Sequence, residues 1–158
     1  MTPEEENLGH RSHKEWLEGH NPDVVDEIYA ADCVIYGNHM PRAQRFGREG
    51  FKAYGAGLYT AFPDMTIRHD MTVTEEDGQY QMVFWTFEGT HLGPMGPIPP
   101  TGRKVSMSGI DVFRVADGEI QELYLAQDAL GSHATTWCYP WLRPGGGKPP
   151  KDEFLDRN

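Results

Sequence analysis

The sequence predicts an α+β domain, a curved antiparallel sheet with N-terminal helices packed on its concave face. Three observations predict it. Helical periodicity is confined to the part before Phe62-Pro63-Asp64. Four strand-like segments follow that point. Asp77-Gly78 and Asp117-Gly118 lie between those segments as tight-turn signals, so neighbouring strands form hairpins. A chain of 158 residues is about one domain and long enough to bury a core.

Each element has its own warrant. Thr2 can cap a first helix, Pro3 suits its first position, and Glu5 completes a capping box. That helix is expected to run to Glu18 and stop at Gly19. Asn21 and Pro22 open a second, whose apolar face is Val24, Val25, Ile28 and Tyr29. "CVIYG" reads as a short strand and "MPRAQRFG" as a loop. A third helix spans "REGFKAYGAGLYTAF", with Phe51, Tyr54, Leu58 and Phe62 on one side. Gly55 and Gly57 weaken it as a helix, which suggests close packing there. The segments "MTIRHDMTVTE", "QYQMVFWTFEGTH", "RKVSMSGIDVFRV" and "EIQELYLAQD" read as strands. "LGPMGPIPPTG" is a long loop at one end of the sheet. Residues 139–158 are rich in Pro, Gly and charge and read as an arm beyond a domain of residues 1–138.

Composition narrows the function. A net charge of −10 argues against nucleic acid and anionic membranes as partners and fits a protein acting on small molecules. No apolar run approaches the ~20 residues of a membrane span. The start of the chain is polar and acidic, unlike a signal peptide, so a cytoplasmic protein is expected. Cys33 and Cys138 are too few for a disulfide framework and read as reduced thiols.

Several segments, in order and spacing, resemble the SnoaL-like polyketide cyclases of the nuclear-transport-factor-2-like fold. They are Gly47-Arg48-Glu49-Gly50-Phe51, Ala61-Phe62-Pro63-Asp64, Gly89-Thr90-His91 with Gly93, and Pro99-Pro100-Thr101-Gly102-Arg103. Ser108-Gly109-Ile110-Asp111-Val112-Phe113-Arg114, Asp117-Gly118-Glu119-Ile120 and Asp128-Ala129-Leu130-Gly131 complete the set. The resemblance covers about residues 10 to 135. It implies a cone-shaped barrel enclosing an apolar pocket and a cofactor-free intramolecular aldol ring closure. It further implies a small apolar or aromatic carbonyl substrate and a homo-oligomer, dimer or tetramer, formed by sheet packing. In that chemistry an aspartate on the last strand shuttles protons, and Asp128 matches its position.

The residues themselves leave Asp128 with two readings: a proton shuttle at the open end of the cone, or an N-cap for a helix starting at Ala129. Alternation puts Glu122, Tyr124, Ala126 and Asp128 on one strand face. His91 has two readings as well, a hydrogen-bond partner of the substrate carbonyl or of Asp128, or a fixture of the Gly/Pro loop. Tyr36, Tyr59, Trp85 and Tyr124 are candidate walls for folding a substrate into a reactive shape, or ordinary core. Asp111 is expected to face outward and pair with a basic residue. His10 and His13 read as a solvated helix face, and His39 and His69 as isolated. No zinc pattern is complete, so no metal or cofactor is expected. An epoxide hydrolase of the limonene type is disfavoured, because Val83-Phe84-Trp85-Thr86-Phe87 lacks the Arg-x-Asp of that relay. A non-catalytic binding module of the same fold is the alternative to an enzyme.

Overall fold

The computed structural model of the chain describes residues 7–37, 40–96 and 98–128. Thr2 and its capping box, His39, Cys138 and the arm at 139–158 lie outside the described residues. The observed α1, Leu8–Arg11, starts after Asn7, whose side chain accepts the His10 N–H at 3.0 Å. The helix then widens into a π-helical stretch, Ser12–Glu18, ended at Gly19. Tyr59 Oη donates to Trp16 O, and Glu18 accepts the Ile67 N–H, which fixes this wide turn against the rest of the fold.

α2, Asp23–Ile28, begins beside Pro22 and carries Asp23 and Asp26 in its first turn, the favourable end for negative charge. It buries Val24, Val25 and Ile28. The strand β1, Tyr29–Tyr36, follows without a loop and is longer than "CVIYG" suggested. α3, Gly47–Ala61, ends where Phe62 precedes Pro63, a residue pair that disfavours helix. Its Gly55 is a close approach: a Cβ there would lie 2.7 Å from the Trp16 indole nitrogen. Gly57 has open space around it, so only one of the two glycines is there for packing.

Four long strands complete the sheet: β2, Thr66–Thr74; β3, Tyr80–Thr90; β4, Lys104–Ala116; β5, Glu119–Gln127. The order is β1-β5-β4-β3-β2. The expected α+β class holds, as a five-stranded curved, unclosed sheet with a few helices. One point differs. The sheet is mixed rather than wholly antiparallel, because β1 runs parallel to β5. A strand supplied by the helical half reaches the sheet edge by a crossover and not by a hairpin. Trp16, Ile28, Tyr29, Phe51, Phe62, Phe113 and Ile120 fill the space between helices and sheet. No described helix is long and apolar enough to cross a membrane.

The Asp117-Gly118 turn sets the register that matters for the site. Both residues have positive φ, at 55° and 78°, as a two-residue hairpin with right-handed twist demands. Ala116 pairs with Glu119 and Val115 with Ile120, but Arg114 then pairs with Glu122. Gln121 is thus the extra residue of a bulge, and every later pair is shifted by one. Asp111 consequently faces Leu125, not Tyr124.

Candidate active site

The inner face of the sheet carries Val83, Trp85 and Phe87 from β3, Phe113 and Asp111 from β4, and Leu123 from β5, all buried. Asp111 is the one carboxylate in that set. It is 5 % exposed, a burial that needs partners for both oxygens. Trp85 Nε1 donates to Asp111 Oδ1 at 2.9 Å. His13 Nε2 meets Asp111 Oδ2 at 2.9 Å, and His13 Nδ1 meets His69 Nε2 at 2.9 Å. The four side chains form one chain of hydrogen bonds, Trp85 to Asp111 to His13 to His69.

Local structure explains why they meet. Trp85 stands opposite Gly109, and a Cβ at Gly109 would fall 2.3 Å from the indole ring. The glycine lets the ring lie across β4 and reach Asp111 diagonally. His69 is opposite Trp85 on β2, just before a bulge at Asp70, so it shares the inner face with Ile67. The π-helical turn brings His13 over that face, where its ring packs edge-on against Phe113 at 5.7 Å.

The proton positions follow from chemistry. A carboxylate only accepts, so His13 carries its proton on Nε2. Where His13 Nδ1 accepts, the His69 Nε2–H donates. Burial, and then the nearby His13, His10 and Lys14, push the His69 imidazolium down to about 4. His69 is therefore neutral near pH 7. Tyr54, half-buried on α3, is held well above the usual phenol value by burial and by the charge of Asp111. It stays a protonated donor. Among the described residues no group of three or more His, Cys, Asp or Glu is arranged to hold a metal ion.

The predicted site residues are dispersed. Glu122, Tyr124, Ala126 and Asp128 do share a face, as alternation requires, but it is the outer one. Tyr124 is 42 % exposed, stacks on Tyr36 at 4.7 Å and donates to Glu122, which also binds Arg114. Asp128 is exposed, one residue past β5, with its N–H on Ser108 O at 2.9 Å. The helix it was to cap lies outside the described residues. Asp111 is the corresponding correction: inward and paired with imidazole and indole, not outward on a basic residue. Leu123 and Leu125 signalled this, because the apolar face of β5 is the one that Asp111 joins once the bulge is counted. His13 and His69 correct the solvated and isolated readings.

His91 is fully buried. Its Nδ1 accepts the Thr101 N–H at 3.3 Å, its own N–H binds Arg103 O, and its carbonyl accepts from Gly102. It closes the Gly/Pro loop. Among the described residues its buried Nε2 has no partner, and its ring lies 5.4 Å from that of Phe62. Tyr59 is half-buried on α3, bonded to Trp16 O. Of the four aromatic candidates, Trp85 alone touches the polar chain. Cys33 is buried, with its thiol pushed up to about 12 by desolvation, which suits an inert core group.

Comparison with known proteins gives a consistent picture. The family model for SnoaL-like polyketide cyclase matches residues 9–134. Aklanonic acid methyl ester cyclase DnrD of Streptomyces peucetius is 28% identical over 138 residues, 84% of this chain and 92% of that protein. Aklanonic acid methyl ester cyclase DauD of Streptomyces sp. (strain C5) is 27% identical over 138 residues, 84% of this chain and 83% of that protein. The structure of TsrD from Streptomyces laurentii superposes with a TM-score of 0.73 at 24% identity, covering 87% of this chain and 97% of that one, a likeness of fold.

Proposed function

The chain belongs to the SnoaL-like polyketide cyclase family, and on that premise we propose that it is an acid–base enzyme that closes a ring in a polyketide-like carbonyl compound by an aldol step. The observation that carries the reading is the buried Asp111–His13 pair on the inner face of the sheet. An aldol closure needs a base for the proton on carbon beside one carbonyl. The resulting enolate attacks a second carbonyl, a carbon–carbon bond forms, and the new alkoxide takes a proton back. Protons and electrons balance without a redox partner.

In this reading Asp111 takes the carbon proton. Each of its oxygens holds one N–H and keeps a second acceptor position. His13 Nε2–H orients the carboxylate, as the third group of a relay does. Neutral His69 holds His13 in that orientation through its Nε2–H, and Tyr54 is a donor for the enolate oxygen. The role given to Asp128 in the sequence reading passes to Asp111, because Asp128 is exposed on the other face. The rest of the rate comes from holding the substrate folded in a reactive shape.

The test uses the substrate named for the two relatives, aklanonic acid methyl ester. Wild type is expected to convert it or a close analogue, and Asp111→Asn is not. Wild-type turnover by a folded Asp111→Asn variant would remove the reading. One observation favours a non-catalytic binding module instead: both oxygens of Asp111 are already bonded within the protein. In that case ligand binds and no analogue is turned over by wild type.

A further inference from the structure

A groove of about 560 Å³ opens at the end of β1, between that strand and Leu125 of β5. Leu125 is the cross-strand partner of Asp111, so the groove ends one side chain from the buried carboxylate. Two exposed aromatics stand on it, Tyr36 and Phe46, at 48 % and 53 % exposure. Arg42 and Arg45 line it as well. The segment that carries them is fixed to β1: Ile35 N–H donates to Arg45 O at 2.8 Å, and Val34 bridges Phe46. Arg45 Nε also donates to Met40 O at 3.0 Å, which holds its side chain in place.

The charge pattern here is unusual for this chain. With a net charge of −10, carboxylates are in excess. Arg11 binds two, and Arg48, Arg68 and Arg114 bind one each. Among the described residues no carboxylate stands within ion-pair distance of Arg42 or Arg45. Two guanidinium groups without a carboxylate partner among the described residues, beside exposed aromatic side chains, suit a flat, anionic ligand. Phe46 offers a ring face, the Tyr36 ring already stacks on Tyr124, and the fork of donors holds the ligand's oxygen atoms.

We infer that this groove binds a planar aromatic carbonyl compound by an anionic oxygen group, a carboxylate or an ionised phenol, held by Arg42 and Arg45. The binding stands on the groove alone. Its use as the anchor that presents the substrate to Asp111 rests on the proposed function.

Calorimetry at low salt tests this with naphthoate and its methyl ester at one pH, and with a hydroxyanthraquinone at pH values on either side of its phenol ionisation. Naphthoate is expected to bind wild type about tenfold or more tightly than the ester, the worth of a charge-assisted contact. The Arg42→Ala/Arg45→Ala variant is expected to lose that margin and bind both alike. Arg42→Glu, a change at an exposed position, is expected to weaken naphthoate and spare the ester. Hydroxyanthraquinone that tightens as its phenol ionises identifies phenolate as an accepted anion; unchanged affinity restricts the class to carboxylates. Equal binding of naphthoate and ester by wild type, or an unaltered margin in both arginine variants, would overturn the inference. Asp111→Asn separates the two readings. It is expected to bind naphthoate like wild type, whatever its turnover, so a loss of the margin in this variant also contradicts the groove assignment.

Discussion

Glu122 and Asp111 sit on neighbouring strands, and each is a carboxylate with two hydrogen-bonded partners. Their surroundings differ. Glu122 lies on the outer face, where Arg114 and Tyr124 hold its carboxyl below the usual range. Water can replace either partner. Asp111 lies on the inner face, with indole and imidazole as partners and no water to stand in for them. The same functional group is a dispensable surface contact in one place and a fixed, poised group in the other. The difference arises from burial and not from the number of hydrogen bonds.

Removing the inner carboxylate should have the largest effect. Asp111→Ala leaves the Trp85 N–H and the His13 Nε2–H buried without acceptors. A loss of about 3 kcal/mol in urea unfolding is expected. A loss no greater than that of a surface substitution would mean that water reaches the site. His13→Phe is expected to cost less, about 1–3 kcal/mol, since it orphans one buried oxygen and the half-buried His69 Nε2–H and keeps the ring packing on Phe113. If it equalled or exceeded Asp111→Ala, His13 and not Asp111 would be the centre of the chain.

pH gives a smaller and more specific signal. The folded state holds His69 at about 4, below its ordinary 6.5. The unfolded chain therefore binds the extra proton first. The contribution of His69 is present above about 6.5 and is lost as pH falls toward 4. Stability measured across that window should decline in wild type and decline less steeply in His69→Gln. Identical profiles would place His69 in water. Smallest of all should be Glu122→Gln on the outer face: a slight shift in midpoint that shrinks further with added salt. A large, salt-insensitive loss there would dissolve the distinction between the faces.

Much of this was legible in the chain. Periodicity and the two Asp-Gly turns were enough for the α+β class and for the β2–β3 and β4–β5 hairpins, but not for the parallel place of β1 beside β5. The shared face of Glu122, Tyr124, Ala126 and Asp128 also followed from alternation. Which face was inner did not, because one bulge at Gln121 decides it and nothing in Glu119-Ile120-Gln121-Glu122 announces a bulge. Counting Leu123 and Leu125 as the core side would have turned Asp111 inward. His13 and His69 were harder. They lie on different elements far apart in sequence, and only the packing of the π-helical turn on the sheet brings them together. His13 looked solvated because α1 was read as an ordinary helix with a polar side.

The central claim is that removal of the proton from carbon belongs to Asp111 on the inner face and not to Asp128 on the outer one. The direct measurement is exchange of the hydrogen beside a carbonyl of aklanonic acid methyl ester, or of an accepted analogue, in deuterated water, followed by NMR. Wild type and Asp128→Asn should exchange at the same rate, and Asp111→Asn should be slower by ~10²–10⁴-fold. Exchange that survives in folded Asp111→Asn and fails in Asp128→Asn would contradict the account.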